Sequence, residues 1–292
     1  MSHIINSIQQ LKNLIDNREY VDNLTIDFDE NINYLFEFLT NLTFLNFEYY
    51  YNQPTDLSKL TNLMYLKFGN RYNQETNLSK LVNLKEMVFN GCYNQLTDFS
   101  HLVNLTFLKL GCYRFNKSID LSNCVNLNDL ELAGNNNEFA NFSNCTKLFY
   151  LKFGWDYNQP IDLSTLTNLR YLEFGGLYNQ PTDFSKLTNL ETLEFSRNYN
   201  QLTNLSNCKK LESLKFAGFY NQPTDLSELT NLEEFNIGAF YKQQQTDLSN
   251  CKKLKKLNDC PFDKLDLSTY RNGMFQKNWN NNWMHFLLRY QQ

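Results

Sequence analysis

The chain has 292 residues, of which 42% are apolar, so it carries enough apolar side chains for a continuous core and is not of the disordered class. The net charge of −4 argues against a surface that binds nucleic acid. No apolar run approaches the roughly 18 residues that a membrane span needs, and the N-terminus lacks the pattern of a signal peptide.

Seven cysteines, an odd number without a CxxC pair, do not suggest a disulfide framework. In a recurring Leu-Ser-x-Leu segment, cysteine replaces the second leucine at Cys124, Cys145, Cys208 and Cys251. A free cysteine behaves as a small buried hydrophobe, so we expect these four to be reduced core residues. The sequence therefore predicts a soluble protein of the cytoplasm or another intracellular compartment.

Residues 1–20 are predicted to form an N-terminal capping helix. Ser2 is the expected N-cap residue. One face of the helix would carry Ile4, Ile8, Leu11 and Ile15.

Residues 21–260 repeat one pattern every 21 or 22 residues. A leucine or phenylalanine marks the repeat at Leu57, Leu78, Phe99, Leu121, Phe142, Leu163, Phe184, Leu205, Leu226 and Leu248. The same register continues back to about residue 21, which predicts about twelve tandem modules. No linker or shift in composition interrupts them, so we expect one domain.

Each module contains the spacing Leu63-x-x-Leu66-x-Phe68 or a close copy of it. Apolar residues two positions apart predict a short strand with one buried face. The preceding segment, Leu57-x-x-Leu60-x-x-Leu63, has a spacing of three that suits a 3₁₀ turn. Such a strand buries its apolar face only when it stacks on the strands of neighbouring modules.

The Leu-x-x-Leu-x-Phe strand preceded by Leu-Thr-Asn-Leu resembles the leucine-rich-repeat family. The segment from Phe153 to Pro160, with Tyr-Asn-Gln-Pro at its end, is similar to the FNIP-type variant found in amoebae and in the giant viruses that infect them. The resemblance implies a solenoid with short parallel strands on the concave face, turns and 3₁₀ segments on the convex face, and helical caps at both ends. It also implies protein binding at the concave face or its edges.

The most faithfully copied segment is Tyr-Asn-Gln-Pro-Thr-Asp-Leu-Ser, which we interpret as the frame of the solenoid. Its aromatic residue, Tyr51 in the first copy, is expected to stack on the next module. Its asparagine is expected to satisfy backbone groups in a ladder formed by Asn52, Asn73, Asn94, Asn158, Asn179, Asn200 and Asn221.

Function is then expected where the copies differ on the outward side of the strands. The first outward position carries aromatic residues at Phe44, Tyr65, Phe107, Tyr150 and Tyr171. Exposed aromatic residues are common anchors of protein interfaces. The alternative is that aromatic residues simply favour strands and pack on one another there.

Acidic residues gather towards the C-terminal end of the repeats and include Glu173, Glu194 and Glu234. We treat these three as a second candidate contact, for a basic partner. The alternatives are a solvated acidic face and, for the alternation of Lys and Glu from Lys109 to Glu173, charge pairing between strands.

Residues 261–292 are predicted to form a C-terminal cap with an aromatic helix. Aromatic and apolar residues recur there at helical spacing at Trp279, Trp283, Phe286, Leu287 and Tyr290. The alternative is an exposed amphipathic helix that docks on a partner.

Motifs for catalysis, metal binding or phosphate binding are not found in the sequence, which has three histidines. We therefore expect no enzyme, no cofactor and no metal site. The function we expect is a non-enzymatic, monomeric scaffold that binds a protein partner through the concave face, without nucleic-acid or membrane binding. The partner's identity is unknown, and a host protein is one candidate.

Three alternatives stay open at this point. The first is a structural or virion-associated component that assembles with itself. The second is a receptor module for carbohydrate or peptide, which the lack of a secretion signal disfavours. The third is a substrate-recognition module for ubiquitin ligation, for which the roughly 20 residues before the repeats leave no visible F-box.

Overall fold

The computed structural model of the protein describes residues 2–113, 115–134, 138–238, 240–241, 246–258 and 265–266. These residues form one α-helix, α1 (Ile8–Asp16), and a 3₁₀ helix over Asn33–Phe38. They also form strands numbered in chain order as β1 (Ser2–Ile5), β2 (Asn23–Ile26), β3 (Phe44–Phe47), β4 (Tyr65–Phe68), β5 (Glu86–Gly91), β6 (Phe107–Cys112), β7 (Ile119–Asp120), β8 (Asp129–Leu132), β9 (Ala140–Asn141), β10 (Tyr150–Phe153), β11 (Tyr171–Phe174), β12 (Thr192–Phe195), β13 (Ser213–Phe216), β14 (Glu234–Ile237), β15 (Thr246–Asp247), β16 (Lys256–Asn258) and β17 (Leu265–Asp266).

Within the described ranges, thirteen strands form one parallel sheet in the order β1-β2-β3-β4-β5-β6-β8-β10-β11-β12-β13-β14-β16. Each strand pairs with the strand one module away, because every turn of the solenoid stacks on the turn before it. The strands of this sheet from β2 to β16, one for each module, correspond to the roughly twelve modules expected from the repeat period. Two short parallel pairs, β7 with β9 and β15 with β17, lie outside this sheet.

The core lies between the sheet and the turns that return the chain to it. Leu66 and Phe68 of β4 are fully buried, as are Leu60 and Leu63 of the preceding segment. The backbone N–H of Leu60 donates to the carbonyl of Leu57 at 2.9 Å, and that of Leu63 donates to the carbonyl of Leu60 at 3.1 Å. These bonds between residues three apart have 3₁₀ geometry, as the leucine spacing predicts.

The N-terminal segment differs from the prediction. Ser2 does not cap a helix, because Ser2–Ile5 forms β1 and pairs in parallel with β2. The helix α1 begins at Ile8, and the Ser7 hydroxyl caps it by accepting a hydrogen bond from the backbone N–H of Gln10 at 3.4 Å. The physical reason is that the outer edge of β2 would otherwise expose unpaired backbone groups, which β1 satisfies.

The predicted C-terminal cap falls largely outside the described residues. Of residues 261–292 the structure describes Leu265–Asp266, which pairs with Thr246–Asp247. The aromatic residues at helical spacing, from Trp279 to Tyr290, lie outside the described ranges.

Two rows of stacked aromatic rings run along the core. In one module the Phe68 and Tyr72 rings stack with centroids 3.8 Å apart, and each ring also stacks on its counterpart in the next module. The centroid distance is 5.3 Å from Phe68 to Phe89 and 6.1 Å from Tyr72 to Tyr93. The tyrosine hydroxyl is satisfied four residues later, where the Tyr72 and Thr76 hydroxyls are 2.6 Å apart. Buried rings therefore connect successive modules without leaving this hydroxyl unpaired.

Asparagine side chains link successive modules at the exit from the core. The backbone N–H of Asn73 donates to Asn52 Oδ1 at 2.9 Å, and that of Asn94 donates to Asn73 Oδ1 at 2.8 Å. Gln74 Nε2 also donates to the carbonyl oxygen of Asn52 at 3.1 Å. The same amide-to-backbone bond occurs at Asn179, Asn200 and Asn221. At the start of the ladder Asp29 supplies the acceptor for Asn52 at 2.9 Å.

Among the described residues, the hydroxyl of one tyrosine in the row lacks a hydrogen-bond partner. Tyr157 is followed four residues later by Ile161, where six other tyrosines of the row are followed by threonine. Among the described residues Tyr157 Oη has no hydrogen-bond partner, although the side chain is 1% exposed. A buried hydroxyl without a partner reduces the free energy of unfolding by about 1–3 kcal/mol.

We predict that Asn179→Ala lowers the free energy of unfolding by about 1–3 kcal/mol, because the backbone N–H of Asn200 loses its acceptor and the Gln201 amide loses one of its two acceptors. Chemical denaturation followed by circular dichroism measures this. Asn70→Ala makes the same chemical change at an exposed side chain and is expected to stay within about 0.5 kcal/mol of wild type. Equal losses in the two variants would contradict a structural role for the ladder.

We predict opposite effects for the same substitution at two tyrosines. Tyr157→Phe removes an unpaired hydroxyl and keeps the ring, so the midpoint of denaturation is expected to stay unchanged or to rise. Tyr178→Phe leaves the Thr182 hydroxyl without its 2.5 Å partner and is expected to lower stability by about 1 kcal/mol. A loss at Tyr157→Phe as large as that at Tyr178→Phe would contradict the assignment of an unpaired hydroxyl.

Candidate functional site

The concave face is formed by the first and third residues of each strand. In β4, Leu66 and Phe68 point into the core, and Tyr65 and Lys67 are half-buried on the other side. The parallel register places residues of the same position side by side. The first position holds Phe44, Tyr65, Glu86, Phe107, Asp129, Tyr150, Tyr171, Thr192, Ser213 and Glu234.

The five candidate aromatic residues form two stacked pairs and one separate ring. Phe44 and Tyr65 stack with centroids 4.2 Å apart and planes 6° from parallel. Tyr150 and Tyr171 stack at 4.5 Å and 7°. Phe107 lies between two acidic residues and stacks on no other ring among the described residues. The face therefore presents separate aromatic platforms.

Charged residues at the third strand position pair across neighbouring strands. Lys109 Nζ lies 2.6 Å from Glu131 Oε2, and Lys152 Nζ lies 2.8 Å from Glu173 Oε2. The Tyr171 hydroxyl also donates to Glu173 Oε2 at 2.7 Å. Burial, and then the negative charge of Glu173, raise the pKa of Tyr171. The cross-strand pairing considered from the sequence is thus present in the structure.

The acidic end of the repeats is largely balanced by basic side chains. Glu194 lies 3.3 Å from Lys215, and Glu234 lies 3.1 Å from Lys256. Outside the concave positions Lys255 lies 2.8 Å from Glu233. Since Glu173 is paired as well, the three glutamates predicted as a contact for a basic partner already have cationic neighbours within the chain.

Four polar side chains on the N-terminal half of this face differ from that pattern. The side chains of Lys67, Glu86 and Asp129 form no ion pair or hydrogen bond among the described residues. Asn46 is 8% exposed, and its Oδ1 has no hydrogen-bond partner there. Burial, followed by the charges of Glu131 and Glu86, raises the pKa of Asp129. The Lys67, Glu86 and Asp129 side chains are therefore available for contacts that the described part of the chain does not provide.

The loops at the carboxyl ends of the strands carry a second exposed aromatic surface, which the sequence analysis missed. Arg71 lies over the Tyr49 and Tyr50 rings, 5.8 and 4.9 Å from their centroids. Further along the same edge the Phe219 and Phe240 rings lie 5.0 Å apart. The sequence signal is variation immediately before each tyrosine of the copied segment.

Trp155 lies on the same edge, and its indole accounts for the glycine at Gly176 in the next module. Its indole lies flat against the backbone of Gly176, and a Cβ atom at that position would come within 2.5 Å of the ring. The side chain is 50% exposed, so one face of the indole rests on the next module and the other faces solvent.

The polar residues of the turns have structural roles. Asp56 Oδ1 accepts the backbone N–H of Ser58 at 2.9 Å, and that bond holds the pKa of the carboxyl below its usual range. Cys124 is buried with a free thiol, and burial raises its pKa to about 12. Over the part of the chain that the structure describes, no group of three or more His, Cys, Asp or Glu is arranged to hold a metal ion. In the same part no helix is long and apolar enough to cross a membrane.

Comparison with known proteins identifies the fold of the chain. No family model and no curated protein matches the chain. The crystal structure of an internalin, InlF from Listeria monocytogenes, superposes with a TM-score of 0.66 at 19% identity and covers 96% of this chain and 85% of that one. The chain has the leucine-rich-repeat fold.

Other solved leucine-rich-repeat structures are also similar. TLR13, solved in complex with ssRNA13, has a TM-score of 0.59 at 20% identity over 80% of this chain and 39% of that chain. The plant peptide hormone receptor RGFR1, solved with RGF2, has a TM-score of 0.51 at 15% identity over 80% and 47% of the two chains. At these identities the likeness concerns the fold.

Proposed function

We propose that the protein is a non-enzymatic scaffold that binds a protein partner through the concave face of its leucine-rich repeats. The observation that carries this proposal is the pair of stacked aromatic platforms, Phe44 with Tyr65 and Tyr150 with Tyr171, on a parallel sheet. The rings are half-buried, so each presents apolar area to a partner while its neighbours hold it in place. Rigid aromatic side chains bind with little loss of conformational entropy.

The sheet supports this function because its backbone is already satisfied. Each concave strand is hydrogen-bonded on both sides within the series β2 to β14, so its side chains are held at a constant spacing of about 4.8 Å. A partner that matches this spacing contacts several modules at once. Phe107, Glu173, Glu194 and Glu234 belong to the proposed contact surface.

Two of the structural neighbours were solved with ligands of different chemical classes. These classes, a peptide and an RNA, are the two to weigh for the partner of this chain. RGFR1 was solved with the peptide hormone ligand RGF2 and TLR13 with ssRNA13. The net charge of −4 favours a protein over a nucleic acid as partner of this chain, since phosphates need a basic surface. The partner's identity stays open, and a host protein is included if the source is viral.

The proposal has three further parts. The repeats are of the FNIP-like kind of amoebae and giant viruses, carried by Tyr-Asn-Gln-Pro at Tyr157–Pro160 and its copies. The protein acts inside the cell without a cofactor, and its cysteines are reduced. It is a monomer that also does not bind membranes.

The test is affinity capture from lysate of the source or host cells. We expect Tyr150→Ala/Tyr171→Ala and Phe44→Ala/Tyr65→Ala to reduce capture of the partner by about tenfold or more, because truncated interface anchors cost 2 kcal/mol or more. Leu96→Ala/Leu202→Ala is the matched control, since these side chains are 71% and 70% exposed but lie at the turns. The proposal would be contradicted if all variants captured the partner equally, or if the wild-type protein captured no partner.

A second candidate function is self-assembly through the edge of the sheet. The strand β1 is the outermost described strand and pairs on one side with β2. An open edge is a template for strand addition by another copy. Sedimentation velocity at rising protein concentration decides this point. We expect a constant monomer, and growth of the sedimentation coefficient with concentration would favour assembly.

A further inference from the structure

The two halves of the concave face differ in whether their charged side chains form ion pairs. From β10 to β16 each charged side chain at the first or third strand position has an ion-pair partner among the described residues. These pairs are Lys152–Glu173, Glu194–Lys215 and Glu234–Lys256. From β4 to β8 the one such pair is Lys109–Glu131. The unpaired charges of the face therefore lie on its N-terminal half.

Two of these unpaired charges flank an aromatic ring. The register aligns Glu86 with Phe107 and Phe107 with Asp129. Neighbouring strands are about 4.8 Å apart, so the two carboxylates project about 10 Å apart on either side of the ring. Glu86 is exposed and Asp129 is half-buried, and no cation of the chain pairs with either within the described ranges.

This arrangement has the chemistry of a site for an arginine side chain. A cation over an aromatic face is attracted by the ring quadrupole, and the planar guanidinium also stacks on such rings. Its five N–H donors suit two carboxylates on opposite sides better than a single ammonium does. Asp129 gains most from such a cation, because its charge is partly removed from water and lies near Glu131 and Glu86.

The aromatic platform of Phe44 and Tyr65 lies on the strands next to Glu86, with the buried amide of Asn46 beside it. Asn46 Nδ2 donates to Glu48 Oε1 at 2.7 Å, and this bond sets the orientation of the amide. The Oδ1 atom is left without a donor in a side chain that is 8% exposed. The stacked pair of Phe44 and Tyr65 lies beside it in the same strands.

We propose that the concave surface of β3 to β8 binds an extended, arginine-bearing segment of the protein partner. The guanidinium lies over Phe107 between Glu86 and Asp129. An apolar side chain of the same segment lies on the platform of Phe44 and Tyr65. This inference rests on the proposed function, and it names the chemical class of the partner.

The spacing of the two subsites restricts the segment. Tyr65 in β4 and Phe107 in β6 are two strands apart, about 9.6 Å. This is about one turn of a polyproline II chain, in which side chains three positions apart lie on the same side at about 3.1 Å per residue. The apolar residue and the arginine are therefore three positions apart. Lys67 lies at the third position of β4 without an ion-pair partner among the described residues and repels a second basic side chain placed over the aromatic platform. A uniformly basic segment is thus disfavoured.

The test is an NMR titration of the full chain, labelled in its methyl groups, with two blocked peptides. One peptide is acetyl-Phe-Ser-Gly-Arg-amide, and the other replaces arginine with citrulline, which keeps the shape but not the charge. The Val88 methyl groups lie on the concave face beside the site, and the Ile237 methyl groups report on the distant β14. We expect saturable shifts at Val88 and none at Ile237, with binding of the citrulline peptide weaker by about fivefold or more.

Variants separate the site from general charge effects. Glu86→Gln and Asp129→Asn are each expected to weaken binding of the arginine peptide by about fivefold, and Glu212→Gln, the same change at an exposed glutamate outside the concave positions, is expected to leave it unchanged. Asp129→Asn removes a repelled, half-buried charge, so its midpoint of denaturation is expected to be equal to wild type or higher. Weaker binding of that variant then cannot come from unfolding.

Three results would overturn the inference: equal binding of the two peptides, shifts centred on Ile237, or no shift at Val88. None of them affects the lysate capture, where wild type is compared with the aromatic double variants. Capture that depends on the aromatic pairs, together with equal binding of the two peptides, would retain the concave-face function and reject arginine as the recognised group.

Discussion

The bond from the Asn52 side chain to the backbone N–H of Asn73 is the interaction on which the rest of the structure depends. A chain that leaves a strand every 21 residues exposes backbone groups at the same place in each turn, and these groups need partners. The asparagine amide supplies the partner from one module to the next. Because that bond has one length and direction, it holds successive turns at a constant spacing, and the stacked phenylalanine and tyrosine rings then fill the space between them.

The residues of the frame are nearly the same in every module, so the modules differ in chemistry mainly at the outward positions of the strands. Most charges there are neutralised by a neighbour one module away, as with Lys152 and Glu173. Such half-exposed pairs contribute little stability, on the order of 0–1 kcal/mol, but they remove charges that a partner would otherwise meet. The groups that stay unpaired, including Glu86 and Asp129, therefore carry more information about a ligand than the paired ones. The proposed arginine site follows from this difference.

The repeat predicted the sheet because its period and apolar spacing are local properties of every copy. Leu66 and Phe68 are buried as their spacing requires, and the leucine triplet forms 3₁₀ turns. Only the start of the N-terminal helix and its cap at Ser2 were predicted wrongly, since the apolar residues of Ser2–Ile5 and of the following helix fit one helical face as well as a strand and a helix. The open edge of β2 decides between them, and a single sequence does not show that edge. The aromatic strand-exit loops were missed because they vary from copy to copy.

The sequence by itself determined the solenoid, the number of its turns, the neighbours of each strand and the identity of the residues that line the concave face. A period of 21 or 22 residues is sufficient for this, because residues at the same position of successive strands pair one turn apart. Only the tertiary structure decided which of these neighbours pair. Glu173 has Lys152 on one side and its own strand's Tyr171 nearby, and it bonds to both. Phe107 lies between Glu86 and Asp129, and neither carboxylate has an ion-pair partner among the described residues. These outcomes depend on side-chain reach and burial across strands, which register alone does not specify.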